Sequence, residues 1–214
     1  QSIQSGENEI VIAGGMENMS SIPFYLNEIR GGKKLGHTQV HDGLLVDGLT
    51  DVYDNVHMGV CAELCAEEMD ISRDEQDEFA LKSYEKSKKA WENGFFSNEI
   101  YPVTITTRKG DTTIDTDEEF SNINIDKFKK LRPVFKKDGT VTAGNASTIN
   151  DGAAALVLMS QEKAHELNLK PIAKIISFSD SSQEPKWFTT TPTKALEKAL
   201  NKANLNKDSV DFWE

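Results

Sequence analysis

Few side chains in this chain suit nucleophilic chemistry, and their spacing limits what they could do. Cys61 and Cys65 lie four apart in HMGVCAELCAEEM, which places both on one face of a helix. Adjacent helical turns make a poor disulfide, and no second cysteine pair completes a zinc-binding set. The two therefore fit small core residues, with a redox role as the alternative. Of the histidines, His165 belongs to a charged helical stretch, and His37 and His41 to an irregular one with no partner implied. His57 differs, because it directly precedes Met58 and Gly59 at a helix start. Backbone N–H groups there favour an anion or a polar ligand; a purely structural histidine is the other reading. No GxSxG elbow, P-loop or HExxH is present.

The stronger clue to a ligand is DKFKKLRPVFKK, Asp126 to Lys137, where six basic residues interleave with Phe128, Leu131, Val134 and Phe135. Basic groups attract phosphates and aromatic faces stack on bases, a combination suited to a nucleotide-bearing ligand. The alternative is a solvated loop whose Phe residues anchor it to the core. The following GNASTINDG is built from small residues and turn-formers, which allow backbone to approach a ligand or a helix closely.

Elements must position these groups. Ile10 to Ala13 reads as a buried strand ending in the tight passage Gly14-Gly15, and 20–56 as a long loop-like excursion of the kind that is usually functional or oligomeric. A helix is predicted over about 58–69. A second opens at Ser72, where Ser72 and Glu75 form a capping box, and ends at Gly94, with Phe79, Ala80, Tyr84 and Trp91 near one stripe. Ile100 to Thr107 and Thr112 to Asp115 alternate around Lys109-Gly110 as a hairpin. Ala153 to Met159 reads as a buried strand, Ser160 as the cap of a helix through Leu167, and Ile172 to Phe178 as another strand. Thr191-Pro192 is read as N-cap and N1 of a last helix whose apolar face is Ala195, Leu196, Ala199, Leu200 and Ala203. Strands separated by helices make the chain α/β.

The 214 residues carry 24 Lys plus Arg against 35 Asp plus Glu, a formal charge of -11, with 37% hydrophobic and 28% charged residues. That composition supports a globular core and argues against a nucleic-acid or anionic-membrane binder whose whole surface is the footprint, while leaving room for a local basic patch. Apolar runs are far too short to span a bilayer, and no signal peptide is read. The start at Gln1 reads like the last turns of a helix and the stop at VDFWE like a strand beginning, as expected of a piece of a longer protein.

Taken together, VIAGGMENMS, DGLTDVYDNVHMG, SRDEQDEFA, TVTAGNASTINDGAAALVLM and VDFWE resemble, in order and spacing along the whole chain, the thiolase family in its acetyl-CoA acetyltransferase branch, of mitochondrial type. The resemblance implies a five-layer αβαβα thiolase fold, present in part. Residues 1–22 and 148–168 would belong to the N-terminal half, 23–147 to an inserted loop domain for coenzyme A binding and tetramerisation, and 169–214 to the start of the C-terminal half. The activity implied is reversible Claisen condensation of two acetyl-CoA to acetoacetyl-CoA and coenzyme A. The family's nucleophilic Cys would precede Gln1, and its Asn-Glu-Ala-Phe motif, catalytic His and second Cys would follow Glu214. No catalytic residue is then expected in this chain, and inactivity of the chain alone is.

The resemblance further implies that Leu49, His57, Met58, Lys127, Val134, Phe135, Ala143 and Ser147 belong to the coenzyme A site, with Lys127 near the 3′-phosphate and Ser147 near the pantetheine. The pair His57-Met58 matches the short-chain type, whereas Asn122 stands where the family pattern has Arg. Tyr84 and the carbonyls of Ala143, Gly144 and Ala146 match a potassium site, Gly144 replacing an Ala; a Tyr simply packed on its helix face is the alternative. A homotetramer or dimer is implied for the longer protein, with no nucleic-acid or membrane partner. A mitochondrial location is implied, with a cytoplasmic one as the alternative. Two further functional readings stand beside this one: a non-catalytic acyl-CoA-binding relative, and a broader 3-ketoacyl-CoA thiolase.

Overall fold

A run of β-branched and small residues needs a neighbouring strand to satisfy its backbone, and the first such run finds its partner far along the chain. The computed structural model describes residues 1–214. In chain order its strands and α-helices are β1 Ile10–Asn18, β2 Phe24–Tyr25, β3 His41–Asp42, β4 Thr50–Asp51, β5 Val56–His57, α1 Met58–Glu68, α2 Arg73–Glu92, β6 Val103–Thr107, β7 Gly110–Ile114, α3 Glu119–Asn122, α4 Ile125–Phe128, β8 Asp151–Met159, α5 Gln161–Glu166 and α6 Thr191–Ala203. The chain divides into two compact units, residues 1–61 with 148–214, and residues 62–147.

In the first unit β1 pairs antiparallel with β8 from Ile10 opposite Met159 to Asn18 opposite Asp151. The strand does not end at Gly14-Gly15 as expected but runs through it. Gly14 marks the close approach of the two backbones, because a Cβ there would lie 2.5 Å from the Ala154 carbonyl oxygen. Nor are the two strands buried: Ile12, Met16, Leu156 and Val157 are all more than half exposed in this two-stranded ladder. Beyond its end, the Ser20 N–H donates to Asp151 Oδ1 at 2.9 Å.

The excursion over 20–56 holds the end of a 3-10 turn, Met19–Ser21, the short pairs β2–β3 and β4–β5 and a π-helical turn, Leu44–Leu49. Gly43 is buried between them; a Cβ would meet the Pro23 carbonyl oxygen at 2.5 Å. Ser160 caps α5 as expected, accepting from the Lys163 N–H. Ile172 to Phe178 is not a strand. It is irregular and pairs with nothing, with Ile172, Ile175 and Ile176 well exposed, and side-chain bonds such as Ser177 Oγ to the Ala199 carbonyl (2.8 Å) hold it near α6. β-branched residues favour extended backbone, but a strand also needs a neighbour's hydrogen bonds. The cap of α6 is Thr190 rather than Thr191, because a 3-10 turn over Pro185–Thr190 leads into the helix. Residues 1–6 form turns rather than an α-helix, and VDFWE forms no strand.

In the second unit, α2 opens with both halves of the expected capping box. The Glu75 N–H donates to Ser72 Oγ, and Glu75 Oε2 accepts from the Ser72 N–H at 2.8 Å. The Ser72 hydroxyl, which donates to Glu75 Oε2 at 2.7 Å, and then the Ser72 N–H hold the Glu75 carboxyl below its ordinary range. The helix closes at Gly94, φ +71°. Its inward stripe differs from the one expected: Arg73, Gln76, Asp77, Ala80, Leu81, Tyr84 and Trp91 are buried or half-buried, while Phe79 is 78% exposed. Phe79 sits one position off the period-3.6 row that Asp77, Ala80 and Tyr84 share. Trp91 instead gathers Phe96 and Phe120, at 5.1 and 6.0 Å between ring centroids. β6 and β7 form the expected hairpin, turning at Gly110 with φ +119°. Phe128, Ala66 and Val141 make this unit's buried apolar centre.

Candidate functional site

Two carboxylates, both buried in the second unit, organise the segment that follows the basic run. Glu63 on α1 is 4% exposed. It accepts the Thr140 N–H at 2.9 and 2.8 Å, the Val141 N–H at 2.8 Å and the Thr140 hydroxyl at 3.0 Å. Room for this carboxylate comes from Gly139, whose missing Cβ would sit 2.3 Å from Glu63 Oε1. Asp77 on α2 is 2% exposed and accepts from Arg73 Nε at 2.8 Å and Asn145 Nδ2 at 2.9 Å. Asn145 also donates to the Thr140 carbonyl (3.1 Å) and accepts the Thr142 N–H (2.8 Å). Gln76 reaches the Thr140 hydroxyl at 2.9 Å, and the Arg73 guanidinium reaches the Leu131 carbonyl at 3.1 Å. Residues 140–145 are thus tied to two helices by charge-assisted bonds, the strong kind.

Ala143 and Ser147 are exposed on this tethered segment. The carbonyls of Ala143, Gly144 and Ala146 accept none of its hydrogen bonds, whereas the Thr142 carbonyl accepts the Ala146 N–H at 3.0 Å. Tyr84 is half-buried, its ring edge-on to Phe128 at 6.3 Å. A Cβ on Gly144 would lie 2.6 Å from the same Phe128 ring. Tyr84 and Gly144 therefore flank one buried aromatic side chain. Burial, and then the charge of Glu119, push the Tyr84 phenol up, so it stays protonated. A neutral phenol oxygen and carbonyls that accept no protein hydrogen bond are the hard, uncharged donors that suit a monovalent cation. No cluster of three or more His, Cys, Asp or Glu side chains forms that could hold a metal.

The basic run has the form of a solvated loop anchored by a Phe, the second of its two readings. Lys127, Lys129, Lys130, Arg132 and Lys137 are exposed, while Phe128 is 2% exposed and anchors the run. Lys136 pairs with Glu67, which raises its pKa. The Val134 N–H bonds the Val141 carbonyl at 3.0 Å; Val134 is exposed and Phe135 half-buried. Asn122 ends α3 and is exposed.

Leu49, His57 and Met58 lie in the first unit, at the β4–β5 pair: Leu49 just before β4, His57 opposite Thr50, and Met58 opening α1. All three are half-buried, and His57 Nδ1 accepts the Gly59 N–H at 2.9 Å. The structure thus groups these three in one unit and Lys127, Val134, Phe135, Ala143 and Ser147 in the other. Cys61 is 2% exposed, and burial followed by the charges of Asp51 and Asp54 pushes its thiol up. Such a group stays a thiol and makes a poor nucleophile. Both cysteines are free.

A model of the thiolase N-terminal domain matches residues 1–162. The chain belongs to the thiolase family. Acetyl-CoA acetyltransferase 1 of Arabidopsis thaliana is 52% identical over 217 aligned residues, with all of this chain and 52% of the relative covered. A mitochondrial acetyl-CoA acetyltransferase A of Xenopus laevis is 47% identical over all of this chain and 51% of its own length. A cytosolic acetyl-CoA acetyltransferase of Gibberella zeae is 49% identical, with 54% of its length covered. Among solved structures, acetyl-CoA acetyltransferases of Syntrophomonas wolfei and Bacillus anthracis superpose with TM-scores of 0.92 and 0.93. Each is 40% identical, over 99% of this chain and 53% and 54% of theirs. The fold is therefore the thiolase α/β fold in part, and this thiolase chain spans about half the length of the relatives it matches. No helix is long and apolar enough to cross a membrane.

Sequence reasoning missed Glu63, Asp77 and Asn145. A signal was present: Arg73, Gln76 and Asp77 are polar residues on the helix stripe that faces inward, and buried polar groups need partners.

Proposed function

We propose that the protein carrying this thiolase chain is an acetyl-CoA C-acetyltransferase, and that the chain supplies its coenzyme A-binding part. The observation that carries this is identity of 47 to 52% to acetyl-CoA acetyltransferases over all of the chain. In the condensing direction a cysteine thiolate attacks the thioester carbonyl of acetyl-CoA, forming acetyl-cysteine and releasing coenzyme A. A base then removes an α-proton from a second acetyl-CoA. The resulting carbanion attacks the acetyl-cysteine carbonyl, making the carbon–carbon bond and expelling the cysteine thiolate, and acetoacetyl-CoA results. The nucleophile, the base and the oxyanion donors this needs lie outside the chain in this reading.

The chain's own residues bind and orient. Lys127 meets the 3′-phosphate, Ser147 runs beside the pantetheine, and Leu49, His57, Met58, Val134, Phe135 and Ala143 line the remainder. Potassium, held by Tyr84 and the carbonyls of Ala143, Gly144 and Ala146, would supply a fixed positive charge that draws those carbonyls together. Residues 23–147 act as a loop domain inserted into the N-terminal half formed by 1–22 and 148–168, and 169–214 begin the C-terminal half. The whole enzyme assembles as a homotetramer.

Acetoacetyl-CoA thiolysis tests the proposal. The full-length protein should turn over and this chain alone should not. Turnover by the chain alone would overturn the placement of the reacting groups outside it. Binding of acetyl-CoA without turnover by the full-length protein would replace an enzyme with a binding protein. In the full-length protein, Lys127→Ala should weaken coenzyme A more than dephospho-coenzyme A, and equal losses would refute the phosphate contact. Added K⁺ should raise activity less in Tyr84→Phe than in the parent; an equal response would remove Tyr84 from the cation site.

A further inference from the structure

We propose that Asn145, acting with the buried carboxylates Glu63 and Asp77, is a positioning residue that pre-sets residues 143–147 for coenzyme A. The inference rests on the reading that this segment meets coenzyme A. Burying two carboxylates costs several kcal/mol apiece unless they are well bonded, and apolar residues would fill the same space at less cost. Glu63 has no cation among its hydrogen-bond partners; its charge is met by the N–H groups of Thr140 and Val141 and one hydroxyl. What this arrangement provides is direction. The N–H groups at 140 and 141 are drawn toward α1, while Asn145 closes the turn by bonding the Thr140 carbonyl, the Thr142 N–H and Asp77 together.

The carboxylates that take these bonds are buried, Thr140 and Asn145 are half-buried, and Thr142 between them is fully buried. The carbonyls of Ala143, Gly144 and Ala146 and the hydroxyl of Ser147 take no part in these bonds, while Ala143 and Ser147 are exposed. The turn is thus held on one side, and its remaining acceptors and its hydroxyl are left for a ligand. A segment fixed before binding spares a ligand the entropy of ordering it. Loosening it should therefore weaken binding without changing the chemical step.

The test uses the full-length protein and steady-state thiolysis with coenzyme A varied. Asn145→Ala removes three bonds, and Thr140→Val removes only the hydroxyl shared by Gln76 and Glu63. In each variant KM for coenzyme A should rise about tenfold, with kcat within about threefold. A merely structural role would lower the active fraction, and so apparent kcat, at unchanged KM; that result overturns the proposal. If Asn145→Ala does not fold, Thr140→Val decides by the same readout. Ser147→Trp separates the two levels. If it raises KM while Asn145→Ala and Thr140→Val do not, positioning fails alone; if none of the three raises KM, coenzyme A does not meet this segment and both readings fall.

Discussion

Glu63→Gln keeps the shape of the most heavily bonded carboxylate in the 62–147 unit and removes its charge and one acceptor. The carboxylate takes the Thr140 N–H on both oxygens, the Val141 N–H on Oε1 and the Thr140 hydroxyl on Oε2. A glutamine oxygen can still face the two N–H groups, but an NH₂ then replaces the oxygen that accepted the hydroxyl. Gln76 already donates to that hydroxyl, so its proton is left without an acceptor. A buried donor stranded in this way costs about 1–3 kcal/mol, and the two N–H bonds each fall from charged to neutral strength, about 1 kcal/mol apiece. With partial relaxation the sum is about 2–4 kcal/mol.

The loss is local, so the direct assay is hydrogen exchange at the Thr140 and Val141 amides. In the regime where exchange reports opening free energy, a loss of about 2 kcal/mol speeds it about 30-fold. Glu67→Gln is the control: it removes the pair with Lys136, whose side chains are 49% and 64% exposed, and should change these rates by less than about fivefold. Unchanged protection at 140 and 141 in Glu63→Gln would refute the claim that this carboxylate holds the turn.

Three further outcomes are expected. Gly144→Ala forces a Cβ to within 2.6 Å of Phe128 and should destabilise by about 1–3 kcal/mol in urea denaturation, with Phe128→Leu in the same chain restoring part of it; additive losses would deny the coupling. Bonding to the Ser20 N–H holds the Asp151 carboxyl below its ordinary value, so its stabilisation is present above that value and fades as pH falls through the lowered one. Asp151→Asn should flatten the acid limb of stability against pH, and an unchanged limb would count against the bond. Cys61→Ala and Cys65→Ala in the full-length enzyme should each leave thiolysis within a few-fold of the parent, because burial keeps Cys61 a thiol; loss of the acyl-enzyme in either would make that cysteine the nucleophile.

Which parts of this thiolase chain could be read from its sequence follows the range of the forces involved. The Ser72 to Glu75 capping box, Gly94 at the end of α2, the hairpin turning at Gly110 and the Ser160 cap all depend on neighbours within a few residues, and all form as expected. Ile172 to Phe178 carries the local preference of a strand and lacks the neighbour, so propensity alone misjudges it. Phe79 fails similarly: apolar character placed it inside, whereas the helix period places Asp77 there instead. Asp77 and Glu63 look like two more charges in an acidic chain until Asn145 and Thr140 are brought to them from 68 and 77 residues away. Motif resemblance singled out Ala143 and Ser147 as candidates, but it gave no reason why GNAS should read as it does. Asn145 supplies one: a side chain with both a donor and an acceptor is needed to bond Asp77, the Thr140 carbonyl and the Thr142 N–H at once. Aspartate at this place would set a second carboxylate against Asp77, and alanine would leave the Thr142 N–H without its partner. Gly144 beside it leaves the space that the buried Phe128 ring needs.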